Sequence, residues 1–187
     1  LRDGLGIIRH AAEIEALAAS VPDSGGVTFV PAFVGLGAPH WNPDVRGAIL
    51  GLTRGTTRAH IARAALEAAC FQTVDVLTAM SRDARQEIVA LRADGGMTAN
   101  NLLMQMQADL AGVPVQCPAN RECTALGAAW MAGLTAGIYE NLQELAQLWK
   151  PDRVFEPSLS ADERSHRLHR WRVALQTLCG PEPSRNA

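Results

Sequence analysis

The chain has little of what would commit it to a special environment. Its charge is almost balanced, with 17 Lys and Arg against 19 Asp and Glu. A formal net charge of −2 provides no basic footprint, which excludes a surface built for nucleic acid. No apolar run approaches the roughly 20 residues that a helix needs to cross a bilayer. No secretory leader pattern is present either. These absences predict a soluble, cytoplasmic protein. The four cysteines, at 70, 117, 123 and 179, form no CxxC pair, and no nearby histidines complete a zinc pattern with Cys117 and Cys123. Metal ligation and a disulfide framework are therefore not expected. There is no internal repeat and no low-complexity tract. The chain opens at Leu1 without methionine and without a cap before a helical pattern, which predicts a piece of a longer polypeptide. What is present is apolar: 48% hydrophobic against 19% charged residues over 187 positions predicts a folded domain with a real core.

Residues 87–113, EIVALRADGGMTANNLLMQMQADLAGV, organise the rest. Ile88, Val89 and Leu91 alternate as in a strand, and Asp94-Gly95-Gly96 forms a turn. Thr98 is the expected cap of the following helix, whose inward face is Leu102, Leu103, Met106 and Leu110, with Gly112 closing it. Paired glycines admit positive φ and let a ligand approach without meeting a Cβ. The opening turn of a helix adds unpaired N–H groups and a positive dipole end. A phosphate site is therefore physically possible. A plain strand-to-helix connection fits the same residues.

Around this unit, residues 1–20 read as the end of one helix followed by a second, with Ile14 and Leu17 inward. Strands are expected over 27–33 and 46–52. The Gly- and Pro-rich loop 34–43 between them should press Trp41 against other structure, and His40 is read as a packing residue. Thr57 should cap a helix running to about Met80, with a stripe through Ile61, Ala65, Ala68, Gln72, Val76 and Met80. Glu67 and Gln72 are expected at the edge of that stripe. Pro114–Pro118 reads as a strand parallel to the one before the glycine turn. The helix over 125–133 is rich in Gly and Ala, which permits either close packing or contact with a ligand. A short helix over 141–149, an irregular connector over 151–157 and a last helix from a Ser160/Glu163 capping box to about Leu178 complete the chain. Leu168, Trp171, Leu175 and Leu178 should be its buried side, and Arg164, Arg167, Arg170 and Arg172 a solvated face. Residues 179–187 are expected to be a disordered tail.

Three segments, in order, resemble the C-terminal part of the FGGY carbohydrate kinases, and among them the glycerol kinases. They are FVPAFVGLGAPHWNPDVRGAILGLTRG (29–55), LRADGGMTANNLLMQMQADLAGVPV (91–115) and TALGAAWMAG (124–133). Gly47, Gly51, His60, Ile61, Ala64 and Glu67 also fall at the intervals of the family's second signature. The resemblance implies an α/β domain of the actin/Hsp70-like ATPase (ribonuclease H-like) type, a mixed sheet with flanking helices, over 1–178. It implies transfer of the γ-phosphoryl group of Mg-ATP to glycerol, with ATP or ADP and Mg2+ as cofactors. Gly95, Gly96 and Asn100 are the nucleotide-binding residues it implies, with the helix from Thr124 beside the same pocket.

The same resemblance places the catalytic base, the phosphate-binding hairpin and the glycerol-contacting residues before the equivalent of Leu1. No catalytic residue is therefore assigned in this chain, and Asp94 is read as a brace of the turn. Weak adenine-nucleotide binding without glycerol phosphorylation is the expectation for the chain alone, and homo-oligomerisation for the full-length protein. His40, Asn42 and Met97 depart from the family's usual residues. A xylulokinase or gluconokinase relative is the alternative within the family, although the GLGAPHW loop favours glycerol. A non-catalytic interaction module is the alternative outside it.

Overall fold

The computed structural model describes residues 1–120 and 122–180. Helix α1 (Glu13–Ala19) is preceded by turns and not by the expected earlier helix, and Ile14 and Leu17 do pack on the core. Strands β1 (Thr28–Val30) and β2 (Ala48–Leu50) pair antiparallel, with Phe29 opposite Ile49. The loop between them closes on itself through the Leu36 and Asn42 backbones, at 2.7 and 3.0 Å. It leaves Trp41 76% exposed, so that ring is not pressed against the body as expected. The loop is tethered instead by His40, whose Nε2 lies 3.0 Å from Asp75 Oδ2. A carboxylate 35 residues away supplies the partner that sequence spacing could not reveal.

Helix α2 (Arg58–Ala84) begins where the Thr57 N–H donates to His60 Nδ1 at 3.0 Å. Its buried face runs through Ala62, Leu66, Cys70, Phe71 and Val74, while Val76 and Met80 point outward. The expected stripe holds over its first half, where Ala68 is buried and Ile61 and Ala65 pack beside it, and fails at Val76 and Met80. Elements on several sides contact α2 (α1, α3 and β1, with Trp171 and Arg167 of the last helix), so its buried surface is wider than one stripe and takes in Glu67, which is 3% exposed. Short strand β3 (Leu91–Arg92) leads through the glycine turn to α3 (Asn101–Ala111) and then β4 (Val115–Pro118), parallel to β3. Val89 is 81% exposed, so the strand begins later than its alternation suggests.

Helices α4 (Cys123–Thr135) and α5 (Leu142–Leu148) follow. Residues Pro151–Phe155 form β5, antiparallel to β4, where an irregular connector was expected. Pro151 is tolerated because it opens the strand, and pairing with β4 outweighs the turn-like composition. The sheet is mixed, in the order β3-β4-β5. Helix α6 (Ala161–Cys179) starts at Ser160, whose Oγ accepts from the Glu163 N–H at 3.2 Å. Glu163 does not return the favour; its carboxylate accepts from Arg167 Nε at 2.8 Å. Cys179 is helical, and residues 181–187 of the expected tail lie outside the described residues.

The core gathers Val30, Leu66, Phe71, Leu103, Met106, Val115 and Trp171 from every layer. Trp171 stacks on Phe71 with centroids 5.3 Å apart, and its Nε1 donates to Asp75 Oδ2 at 2.7 Å. That bond spares the buried indole an unpaired donor. No helix among the described residues is long and apolar enough to cross a membrane.

Candidate functional site: the glycine corner between β3 and α3

The ladder between β3 and β4 runs one residue beyond β3, since the Ala93 N–H donates to the Gln116 carbonyl at 2.9 Å. The chain then leaves the sheet at Asp94. Gly95 adopts φ +87°, ψ −179°, a conformation open in practice only to glycine. A Cβ built on Gly95 or on Gly96 would meet no atom within 4 Å. The corner is bare, unplugged by any neighbouring side chain of the described residues.

A 3-10 turn, Gly96–Ala99, separates the corner from α3. Thr98 is fully buried, and its hydroxyl donates to the Gly95 carbonyl at 2.8 Å, alongside its own N–H at 3.1 Å. Thr98 is therefore the pin of the corner and not the cap of α3. The cap is Asn100, whose Oδ1 accepts from the Leu103 N–H at 2.8 Å. The next amide, Leu102 N–H, donates to Glu15 Oε1 of α1 at 3.0 Å. Two of the first amides of α3 are thus already satisfied by protein oxygens. The simple picture of a phosphate seated on the mouth of α3 needs correction for that reason. What stays open is the main chain one turn earlier: the N–H groups of Gly96 and Met97 have no acceptor among the described residues. Asn100 Nδ2 is likewise without an acceptor among them.

Asp94 faces the start of α4. Burial, followed by the nearby Asp94 and the charge of Glu122, pushes the Cys123 thiol up from its ordinary range. Cys123 Sγ donates to the Asn120 carbonyl at 3.4 Å at the start of α4, the small-residue helix. Of its glycines, Gly133 is required by close packing, since a Cβ there would lie 2.7 Å from the Tyr139 ring. Gly127 faces open space. Close packing thus explains one glycine and leaves the other free for a ligand.

No group of three His, Cys, Asp or Glu among the described residues could hold a metal ion. Two hollows lie away from the corner. One, of about 660 Å³, is lined by Leu77, Thr78, Gly112 and Arg164; the other, of about 520 Å³, by Leu50, His169 and Val173. Neither includes Gly95, Gly96 or Asn100. Two residues that shape the corner carried no local signal: Glu15 bonds to the Leu102 N–H and Arg153 to the Thr98 carbonyl, each from another element. Thr98 could have been found, because a hydroxyl three residues after Gly95 suits a side-chain-closed turn.

The family model for the C-terminal domain of the FGGY family of carbohydrate kinases matches residues 5–136. The chain belongs to that family. This FGGY domain is 56% identical over 176 residues to a glycerol kinase of Nitratidesulfovibrio vulgaris strain DP4. That match takes in 94% of the chain but 35% of the relative, so the chain spans about a third of its length. Among solved structures, it superposes on Plasmodium falciparum glycerol kinase with ADP at TM-score 0.85 and 34% identity, covering 92% of this chain and 35% of that one. A xylulose kinase of Rhodospirillum rubrum follows at TM-score 0.72 and 30% identity, covering 89% and 33%. The fold of the FGGY domain is accordingly α/β, of the actin/Hsp70-like ATPase type that the sequence implied.

Proposed function

We propose that this chain is the nucleotide-binding part of an ATP-dependent glycerol kinase, a domain spanning 1–178 that works with the rest of a longer polypeptide. The observation that carries the reading is the bare corner at Gly95 and Gly96 in a fold matching a glycerol kinase that binds ADP. In this reading, phosphate oxygens accept from the N–H groups of Gly96 and Met97, and Asn100 Nδ2 donates to the same nucleotide. Gly95 keeps the approach open. The chain's contribution to phosphoryl transfer is then to bind and orient the donor, the larger part of such catalysis being position and electrostatics.

The reaction needs Mg2+, which neutralises charge developing on the transferred group. The residues described here do not form a cage for it, and Mg2+ commonly rides on phosphates with few protein ligands. Its protein ligands, the acceptor-orienting base and the glycerol pocket belong in this reading to the remainder of the polypeptide. Identity of 56% to a glycerol kinase, together with the GLGAPHW loop, favours glycerol as the acceptor. Cytoplasmic location and homo-oligomeric assembly belong to the same proposal.

Titration calorimetry with ADP tests the site. Gly96→Asp sets a carboxylate in the open space and should weaken ADP by about tenfold or more, since like charges this close repel by at least about 1 kcal/mol even in water. Equal affinity of both proteins refutes the placement. The longest polypeptide encoded with this chain should phosphorylate glycerol in preference to xylulose and gluconate. A protein that binds no nucleotide and phosphorylates none of them is instead an interaction module.

A further inference from the structure

We infer that Arg153 of β5 is a positioning residue for the nucleotide corner, because its guanidinium spans the Thr98 carbonyl and the Asn101 side chain and so locks the turn that carries Gly95 and Gly96. The inference rests on the nucleotide reading above. Arg153 lies outside the residues matched by the family model, on a strand that its own sequence does not announce.

The geometry is specific. Nη1 donates to Asn101 Oδ1 at 2.6 Å, and Nη2 donates to the Thr98 carbonyl at 2.9 Å. One planar fork therefore reaches two acceptors on either side of Asn100, and a bond from a charged donor is stronger than a neutral one. The guanidinium is itself held: Nε lies 3.8 Å from Asp152 Oδ2, and the carbon sits 5.8 Å from the Phe155 ring centroid. Pairing of Arg153 with Cys117 in the β4–β5 ladder anchors the backbone that delivers it.

The Thr98 carbonyl precedes α3, so the helix ladder has no use for it. Arg153 gives it a partner. The Thr98 hydroxyl in turn holds the Gly95 carbonyl. A continuous path of hydrogen bonds thus runs from β5 through Thr98 to the glycine corner. Glu15 holds the other side of the same junction at Leu102. Preorganised main-chain donors bind a ligand without having to be ordered first, and cutting the path removes that advantage. None of these groups needs to touch the nucleotide for the effect to be felt there.

The test compares the wild type with Arg153→Gln, Arg153→Lys and Asn101→Ala in the longest polypeptide that contains this chain. ADP affinity is read by calorimetry, and amide hydrogen exchange is read at residues 95–101. Arg153→Gln should weaken ADP by about tenfold and speed exchange at those amides, a tenfold change being well within the reach of lost preorganisation. Arg153→Lys, which can serve one acceptor at a time, should fall between. Asn101→Ala should cause a smaller loss, and little further loss when added to Arg153→Gln, because both cut the same link. Leu175→Ala, buried in the core away from the turn, controls for general destabilisation and should leave ADP affinity unchanged.

Wild-type ADP affinity in both Arg153→Gln and Asn101→Ala overturns the inference while leaving the nucleotide reading intact. So does an equal loss in Leu175→Ala, which would make the effect one of stability alone. A wild type that fails to bind ADP overturns the nucleotide reading and this inference with it. Should Arg153→Gln fold poorly, Arg153→Lys and Asn101→Ala carry the comparison.

Discussion

Asn100 has two functional atoms with separable duties. Its Oδ1 caps α3 through the Leu103 N–H at 2.8 Å, while Nδ2 has no acceptor among the described residues. Two substitutions pull these duties apart. Asn100→Ala removes the cap, and thermal or urea unfolding should show a loss of about 1 kcal/mol, the usual cost of an N-cap deletion. Asn100→Asp keeps an oxygen for Leu103 and should retain that stability, but it replaces a donor with a negative charge. ADP affinity should then fall by about tenfold or more. A stable Asn100→Asp protein with unchanged ADP affinity would show that Nδ2 does not face the nucleotide. At this scale the sequence was a fair guide to identity and a poor one to roles. Asn100 and the glycines were picked out, yet the cap was assigned to Thr98, because an intervening 3-10 turn cannot be distinguished from the first turn of an α-helix by composition.

Elements show how far local chemistry reaches. Helix α3 ends at Gly112 with φ +70°, a left-handed C-cap whose N–H returns to the Ala108 carbonyl at 2.8 Å. The missing Cβ also makes room for the Arg164 guanidinium of α6, with which it would collide. Gly112→Ala should destabilise the protein by about 1–2 kcal/mol, the cost of a left-handed residue with a side chain. Arg164 ends in a flexible stem that can swing aside, so adding Arg164→Ala should recover little of that loss. Chemical denaturation of the single and double variants checks both statements; full recovery would move the cause from backbone to collision. The helix stop at Gly112 was legible from sequence, whereas the guanidinium above it was not. Strand β5 is the converse case, since a segment with turn-like composition became ordered only by pairing with β4.

Across the whole molecule, α2 and α6 are joined by charge within an otherwise apolar contact. Glu67 Oε1 lies 3.8 Å from Arg63 Nε and 3.9 Å from Arg167 Nη1, and Arg170 reaches Ser24 at 3.2 Å. Arg167 and Arg170 are therefore not on the solvated face that their spacing suggests, whereas Arg172 is exposed. Burial raises the Glu67 carboxyl above its ordinary value near 4.5, against the opposing pull of the Ser24 hydrogen bond and of Arg167, Arg63 and Arg170. The folded protein thus keeps this proton to a higher pH than the unfolded chain does. The stabilisation is fully present below the unfolded value and is lost as pH rises through the folded one. The Glu163 carboxyl, lowered by its hydrogen bond to Arg167, works in the opposite sense, its contribution fading as pH falls. Urea midpoints measured from pH 4.5 upward should decline in the wild type relative to Glu67→Gln, which has no proton to lose. Parallel profiles for the two proteins would contradict the raised carboxyl.

The sequence by itself determined the parallel β3–α3–β4 unit, the glycine corner, most of the helices and the family. All of these depend on interactions between residues close in the chain: alternation, turn chemistry, helical periodicity and the glycines that positive φ demands. Tertiary structure decided what surrounds the corner and what closes it. Glu15 and Arg153 approach from α1 and β5, and Glu67 is buried where Arg167 of α6 closes over α2. Such contacts join residues 87 positions apart in the case of Glu15 and Leu102, so no local pattern encodes them. They form only when the packed core fixes the distance between elements, because a hydrogen bond or an ion pair vanishes within an ångström or two of misplacement.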